Sequence, residues 1–341
     1  MNLFQKKLLD HLGCKQSLWG KFKNTFSSKQ KLSQLQELPA WANWSHLMDE
    51  LNWLHARLRD DHSRTILENT VLYHLTGGAW KVKWRGDNLR WLPAREEPSD
   101  DKEKIQTSFL GWELQKRSLY SMGFPIKAFL TNKRPNIIFD LEQYSDPRNN
   151  IYVQEGDVVI DGGSCWGDSA LYFSYLSGSS GNVYSYEFMP ENLSIMQRNL
   201  ELNPELARRI NIIEKPLWSK VGVEMEFLCD GPATRINKEE NSSGILIKTQ
   251  STTIDELVEN NQVHKIDFIK MDIEGAELEA LKGAENSIRK FKPRMALCVY
   301  HRPEHFTELA RYIDNIHPEY MFSLDHMTTM DWETVLYASP H

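Results

Sequence analysis

Apolar positions follow two regimes along this chain. From residue 158 onward, short unbroken apolar runs alternate with stretches of helical period, and several runs end in a polar residue. Val158-Val159-Ile160 ends at Asp161 and Val183-Tyr184-Ser185-Tyr186 at Glu187. Ile266-Asp267-Phe268-Ile269-Lys270-Met271 ends at Asp272, and Met295-Ala296-Leu297-Cys298-Val299-Tyr300 at His301. Ile210–Ile213 is a further run, and 320–324 with 334–338 predict a closing pair of strands. Between the runs, 168–176 predicts a helix, and Leu193, Met196 and Leu200 predict another opened by Pro190. One helix is predicted through Leu278, Leu281, Ile288 and Phe291, and another through Phe306, Leu309, Ala310 and Ile313. Thr253-Ile254-Asp255-Glu256 reads as a capping box. Strands alternating with helices predict an α/β fold whose mostly parallel sheet is covered on both faces.

The first 150 residues pattern differently. Residues 45–59 and 63–75 predict helices, the first with Leu47, Leu51, Leu54 and Leu58 in a stripe. Residues 80–91 predict a hairpin turning at Arg85-Gly86-Asp87-Asn88, where the Arg-Gly-Asp is read as a turn and not as an adhesion signal. Residues 93–104, rich in charge and proline, predict a linker. Residues 108–139 mix short apolar runs with Gly123-Phe124-Pro125 and are expected to dock on the sheet. Eight of the eleven tryptophans lie before residue 120, which excludes a disordered tail. The division expected is a mainly helical region with a small hairpin over 1–150, followed by an α/β domain over 151–341. The first region is either a cap facing the substrate or a packing or oligomerisation extension.

Candidate chemistry concentrates at the strand ends, where open α/β sheets bind ligands. After Asp161 come Gly162, Gly163 and Gly167, spaced D-x-G-x-x-x-G. The dinucleotide fingerprint G-x-G-x-x-G is absent, which argues against a nicotinamide oxidoreductase. The spacing is that of class I S-adenosylmethionine-dependent methyltransferases. On this reading Asp161 orders the turn or meets the methionyl amine through water, and Gly163 and Gly167 allow close backbone approach. Ser169, in the first helical turn, bonds the methionyl carboxylate. Glu187 takes the ribose hydroxyls, and Pro216 and Leu217 wall the adenine.

From about residue 157 to 338 the chain resembles the FkbM family of methyltransferases. The resemblance is carried by Val158-Val159-Ile160-Asp161-Gly162-Gly163, by Tyr186-Glu187-Phe188-Met189-Pro190-Glu191-Asn192, and by Ile266 to Glu277 with its K-x-D-x-E-G-x-E block. Val299-Tyr300-His301-Arg302-Pro303 and Glu333-Thr334-Val335-Leu336-Tyr337 complete it. It implies a seven-stranded Rossmann-like sheet, S-adenosyl-L-methionine as cofactor, and O-methylation of hydroxyls on sugars, glycolipids or natural products. Cys165 stands where many members have Asn, and Trp166 where they have an aliphatic residue. Phe188 and Met189 replace the commoner Pro-Asn or Pro-Asp and, being apolar, flank the adenine. N-methylation, protein methylation and a cofactor-binding relative without turnover stay open.

Methyl transfer from a sulfonium to a hydroxyl needs in-line alignment and removal of the hydroxyl proton. Asp272 and Glu274 sit where the fourth strand opens on the reactive end, and His301 ends the adjacent strand with an ordinary pKa suited to proton abstraction near neutrality. The carboxylates could instead hold a divalent cation such as Mg²⁺, although a base without metal is the expected form. His305 and His326 are secondary candidates. Net charge is −7 and there is no basic run, so nucleic acid is not an expected partner; a small-molecule or glycan acceptor is. A homo-oligomer is compatible with the pattern. No apolar stretch approaches membrane length, and the first residues lack a secretory signal. Cys14, Cys165, Cys229 and Cys298 are too dispersed for a metal motif or a disulfide framework. A cytoplasmic location is therefore expected.

Overall fold

The computed structural model describes residues 2–14, 35–88, 103–131, 136–237, 245–260 and 262–340. Among these the N-terminal region contains helices α1 (Leu3–Cys14), α2 (Met48–Arg57) and α3 (Asp61–Leu75). The leucine stripe Leu47, Leu51, Leu54 and Leu58 is buried. The predicted 45–59 helix is tighter in its first turn, a 3₁₀ segment over Ser45–Leu47, and gives way to extended backbone at Leu58. Helix α3 starts where Asp60 caps it, accepting from the Ser63 N–H at 2.7 Å. A small antiparallel sheet follows, of β1 (Lys104–Gln106), β2 (Glu113–Ser118) and β3 (Lys127–Thr131), in that order.

The hairpin expected over 80–91 is not formed among its described residues. Residues 81–84 form no regular secondary structure, and Arg85–Asn88 is a 3₁₀ turn. The Arg85 guanidinium leaves the turn to reach Asp325 and the carbonyls of Leu141, Glu142 and Ser145. That anchor makes the segment a strap across the molecule. Residues 89–91 and most of the predicted linker lie outside the described residues.

The α/β part runs β4 (Val158–Gly162), α4 (Asp168–Leu176), β5 (Asn182–Tyr186), α5 (Pro190–Glu201) and β6 (Ile210–Ile213). A three-stranded antiparallel insertion follows: β7 (Glu224–Leu228), β8 (Arg235–Ile236) and β9 (Leu246–Gln250). Then come α6 (Ile254–Glu259), β10 (Phe268–Met271), α7 (Glu277–Lys282), α8 (Glu285–Phe291), β11 (Arg294–Cys298), α9 (His305–Ile316), β12 (Met321–His326) and β13 (Thr334–Ser339). Seven strands form one sheet in the order β12-β13-β11-β10-β4-β5-β6, with β13 antiparallel to both neighbours. Strands β4, β10 and β13 are buried at every position, which is why they read as mostly apolar runs, with Lys270 a charge inside β10. The single helix predicted through Leu278 and Phe291 is two helices. Gly283 lies between them as the C-cap of the first, and no larger residue fits there, because a Cβ would stand 2.0 Å from the Trp218 carbonyl oxygen.

Both faces of the sheet are covered. On one, Phe4, Leu8, Leu51, Leu54, Ile66 and Val71 from the N-terminal helices join Ile160, Ile269 and Leu297 in a single core. On the other, Phe124, Phe139, Tyr172 and Phe173 pack on Val159 and Phe268. The N-terminal region also meets the edge strand β12. The Arg59 N–H donates to the Phe322 carbonyl at 2.8 Å, and the Leu324 N–H donates to the Ser63 hydroxyl at 2.9 Å, so backbone groups of the edge are taken up within the chain. The segment expected to dock on the sheet packs on it through Phe124 and Phe139 and is also held to α5, where Asn199 accepts from the Phe129 N–H at 2.7 Å and Asn203 from the Lys127 N–H at 3.0 Å. No helix among the described residues is long and apolar enough to cross a membrane.

Candidate functional site

Strand register decides which residues meet. Gly162 of β4 pairs with Met271 of β10 on one side and Tyr186 of β5 on the other. The next residues, Gly163, Asp272 and Glu187, therefore emerge side by side at the carboxyl edge of the sheet. The chain order reverses between β4 and β10, so this edge is the topological switch point. A cleft with about 620 Å³ of open space lies there, lined among others by Gly163, Cys165, Glu187, Asp272 and Glu274.

The glycine turn is shaped by close contacts. Gly163 has φ +78°, and a Cβ on it would fall 2.0 Å from the Asp272 carbonyl oxygen. At Gly167, φ is +81° and a Cβ would meet Met196 of α5 at 2.7 Å. Asp161 lies beneath the turn, fully buried. Its carboxylate accepts from the Ser169 hydroxyl at 2.8 Å and contacts Lys270 Nζ at 3.2 Å. Lys270 also donates to the carbonyls of Gly162 and Gly163, at 3.0 and 2.6 Å. Burial disfavours that ammonium, but Asp161 and Asp272 outweigh it and raise its pKa. The turn is thus fixed from below by a buried ion pair.

Glu187 faces the cleft from the end of β5. Its carboxylate accepts from the Phe188 and Met189 amides, both at 2.8 Å, and from the Asn192 side chain at 3.2 Å. Burial nevertheless pushes its pKa up to about 7. Phe188, Met189, Pro216 and Leu217 line the same end. The β7–β9 insertion adds Met225, Phe227, Gly231, Pro232 and Thr234, with Phe227 packed on Phe188 at 4.5 Å between ring centroids.

At the other end Asp272 receives the Tyr144 hydroxyl at 3.1 Å and the Tyr300 hydroxyl at 2.9 Å. His301 Nε2 stands 3.4 Å from Asp272 and 3.5 Å from Glu274, and its Nδ1 stands 2.9 Å from Glu277. Glu277 is fully buried, and its other oxygen lies 3.2 Å from His305 Nδ1. Burial works against a charged imidazole, but Glu277, Glu274 and Asp272 raise the His301 pKa well above the ordinary value. Burial also opposes the Glu277 charge, yet His301 and His305 bring its pKa down. Glu333 completes the group: burial and the Asp272 charge push its pKa up to about 8, against a hydrogen bond from Gln143.

The cleft brings together Gly163, Cys165, Glu187, Phe188, Met189, Pro216, Leu217, Asp272 and Glu274. Asp161, Gly167 and Ser169 stand behind its wall, with the Ser169 hydroxyl committed to Asp161. His301 is behind Asp272 and Glu274. The surrounding carboxylates favour its protonated form, so Nε2 has a lone pair to offer only after that proton is released. His305 is buried against Glu277. His326 is buried between Thr334 and the Met330 carbonyl, each at 2.8 Å, and does not face the cleft. Sequence reasoning carried Lys270, Glu277 and Glu333 only as motif positions without a role, and it missed Tyr144 and the insertion. Lys270 carried a signal, since a lone charge inside an apolar strand must be paired.

Residues 154–324 match the methyltransferase FkbM domain. A curated relative, the hexuronic acid methyltransferase AglP of Haloferax volcanii, is 29% identical over 136 residues, 40% of this chain and 53% of the relative. The crystal structure of methyltransferase FkbM from Methylobacillus flagellatus superposes with a TM-score of 0.57 at 22% identity, covering 88% of this chain and 60% of that one. The chain thus spans about half the length of the curated relative, while the structural likeness extends through the N-terminal region as well as the sheet. With the family match running over the glycine turn, the Glu187 strand end and the Asp272–Glu277 block, the chain belongs to the FkbM methyltransferase family.

Proposed function

We propose that this protein transfers the methyl group of S-adenosyl-L-methionine to a hydroxyl of a sugar, glycan, glycolipid or natural product. The alignment of Gly163, Glu187 and Asp272 one residue past three neighbouring strands carries the reading. It provides a close backbone approach, a carboxylate for the ribose and an acidic group at the far end of one cleft. Glu187 already accepts from the Phe188 and Met189 amides and from the Asn192 side chain, which leaves about one of its four acceptor sites, on Oε2, for a ribose hydroxyl. Phe188, Met189, Pro216, Leu217 and Phe227 form an apolar slot for a flat base. Family membership supports the transfer, and a relative named for hexuronic acid supports a sugar acceptor.

In the reaction the hydroxyl oxygen forms a bond to the methyl carbon as the carbon–sulfur bond breaks. That electron pair stays on sulfur, giving a neutral thioether. The hydroxyl proton passes to the carboxylate of Asp272 or Glu274, beside which His301 stands, and from there to solvent. The cleft walls hold oxygen, methyl and sulfur in line and exclude water.

Titration calorimetry with S-adenosylmethionine and its demethylated product tests the cofactor half. Glu187→Ala should weaken both by about 1.5–3 kcal/mol, the loss of hydrogen bonds to a charged group. Wild-type affinity should also fall as pH drops through about 7, because protonated Glu187 is a poorer acceptor. Unchanged affinity in a folded Glu187→Ala variant would place the ribose elsewhere. Labelled cofactor incubated with glycan, lipid, small-molecule and protein fractions tests the acceptor half; label in protein alone would overturn it.

A further inference from the structure

We propose that Asp272, Glu274 and His301 form a divalent-cation site at the reactive end of the cleft, suited to Mn²⁺ or a similar first-row ion. One ligand atom from each residue lies within 4.8 Å of the other two. Between the two carboxylates stands the buried imidazole of His301. Its side chain is 7% exposed, and Nε2 is aimed between Asp272 Oδ1 and Glu274 Oε1 without forming a hydrogen bond to either. The 3.4 and 3.5 Å separations approach the spacing of two ligands on one ion, roughly 3.0–3.5 Å for bonds of about 2.0–2.2 Å.

The surroundings are those a histidine ligand needs. A metal-binding imidazole normally gives its other ring nitrogen to a carboxylate, which fixes the ring and the tautomer. Here Nδ1 faces Glu277 at 2.9 Å. Glu277 is itself fixed by the Ile273 N–H at 3.0 Å. The hydroxyls of Tyr144 and Tyr300 orient the Asp272 carboxylate in the same way. One imidazole and two carboxylates suit Mn²⁺, Fe²⁺ or Zn²⁺ better than Ca²⁺, which takes oxygen ligands alone. Three protein ligands leave coordination positions open toward the cleft. Under the methyltransferase reading, an acceptor hydroxyl bound there becomes more acidic and releases its proton to solvent before or as the methyl carbon is attacked. Only this catalytic role rests on that reading; cation binding does not.

The test is direct binding of Mn²⁺ to the full-length protein after chelator dialysis, followed by the loss of the free-ion electron paramagnetic resonance signal. One ion per chain is expected. Glu274→Gln, whose side chain is partly exposed and should not unfold the protein, should weaken binding at least tenfold while leaving cofactor affinity intact. Glu277→Gln should weaken it by about 10–100-fold, the usual effect of removing the partner of a histidine ligand. No Mn²⁺ binding with or without cofactor, or equal binding by wild type and Glu274→Gln, overturns the site. Cofactor binding measured on the same samples separates that failure from failure of the methyltransferase reading.

Discussion

Replacing Arg85 by alanine should destabilise the fold by about 3–5 kcal/mol, because it takes a cationic partner from a buried carboxylate and the donor from three backbone carbonyls. Arg85 Nε donates to Asp325 at 3.0 Å, Nη1 to the Leu141 and Glu142 carbonyls at 2.6 and 2.9 Å, and Nη2 to the Ser145 carbonyl at 2.8 Å. It thereby ties the strap after α3 to the end of β12 and to the segment leading into β4. Asp325 is 4% exposed, and its remaining ionic partners are Arg148 at 3.3 Å and His62 at 3.2 Å. Burial opposes the Asp325 charge, but the His62 hydrogen bond and the charges of Arg85 and Arg148 bring its pKa down to about 2 from 3.8. A carboxylate depressed in the folded state stabilises above its unfolded pKa, and that contribution is lost as pH falls from about 4 through about 2. The Arg85→Ala variant should therefore unfold at a higher pH on acidification and at lower urea with an unchanged slope. Arg85→Lys should recover only part of the loss, since an ammonium cannot span the same fork of acceptors. A midpoint shift worth less than about 1 kcal/mol, within the range of an exposed ion pair, would show that the strap is dispensable.

Asp272→Asn should slow methyl transfer by about 10²–10⁴-fold, the usual contribution of a group that manages a proton in the transition state. The two tyrosine hydroxyls donate to different oxygens of Asp272. An amide keeps the shape but turns a donor toward one of them and removes a negative charge from the cleft. Cofactor affinity should stay within a few-fold of wild type, because Glu187 and the glycine turn are untouched. Single-turnover rates with labelled cofactor and an identified acceptor measure the first quantity, and calorimetry the second. A folded Asp272→Asn protein that methylates that acceptor at the wild-type rate would remove Asp272 from the reaction. Equal losses in affinity and rate would make it a support for the turn.

Period and punctuation along the chain determined the α/β sheet. Val158 to Gly162 and Phe268 to Met271 are buried on both faces, and a parallel strand under two layers of helices has no position that tolerates water. The glycine turn was legible for a similar local reason, since positive φ and close backbone approach restrict Gly163 and Gly167 to glycine. Glu187, Asp272 and Glu274 were legible because each closes or follows an apolar run at the ligand-binding edge. The hairpin expected over 80–91 misled, because a turn-forming tetrapeptide such as Arg85-Gly86-Asp87-Asn88 marks a change of direction and not a pair of strands. The β7–β9 insertion escaped because its strands are short and half-buried, with no apolar run to mark them. Tertiary structure alone decided the state of the reactive end. Tyr144 reaches Asp272 across 128 residues, and Gln143 reaches Glu333 across 190. His301 looks like an ordinary histidine in sequence, yet three carboxylates surround it in space. Charge interactions depend on distance and burial, and neither is set until the strands take their order in the sheet.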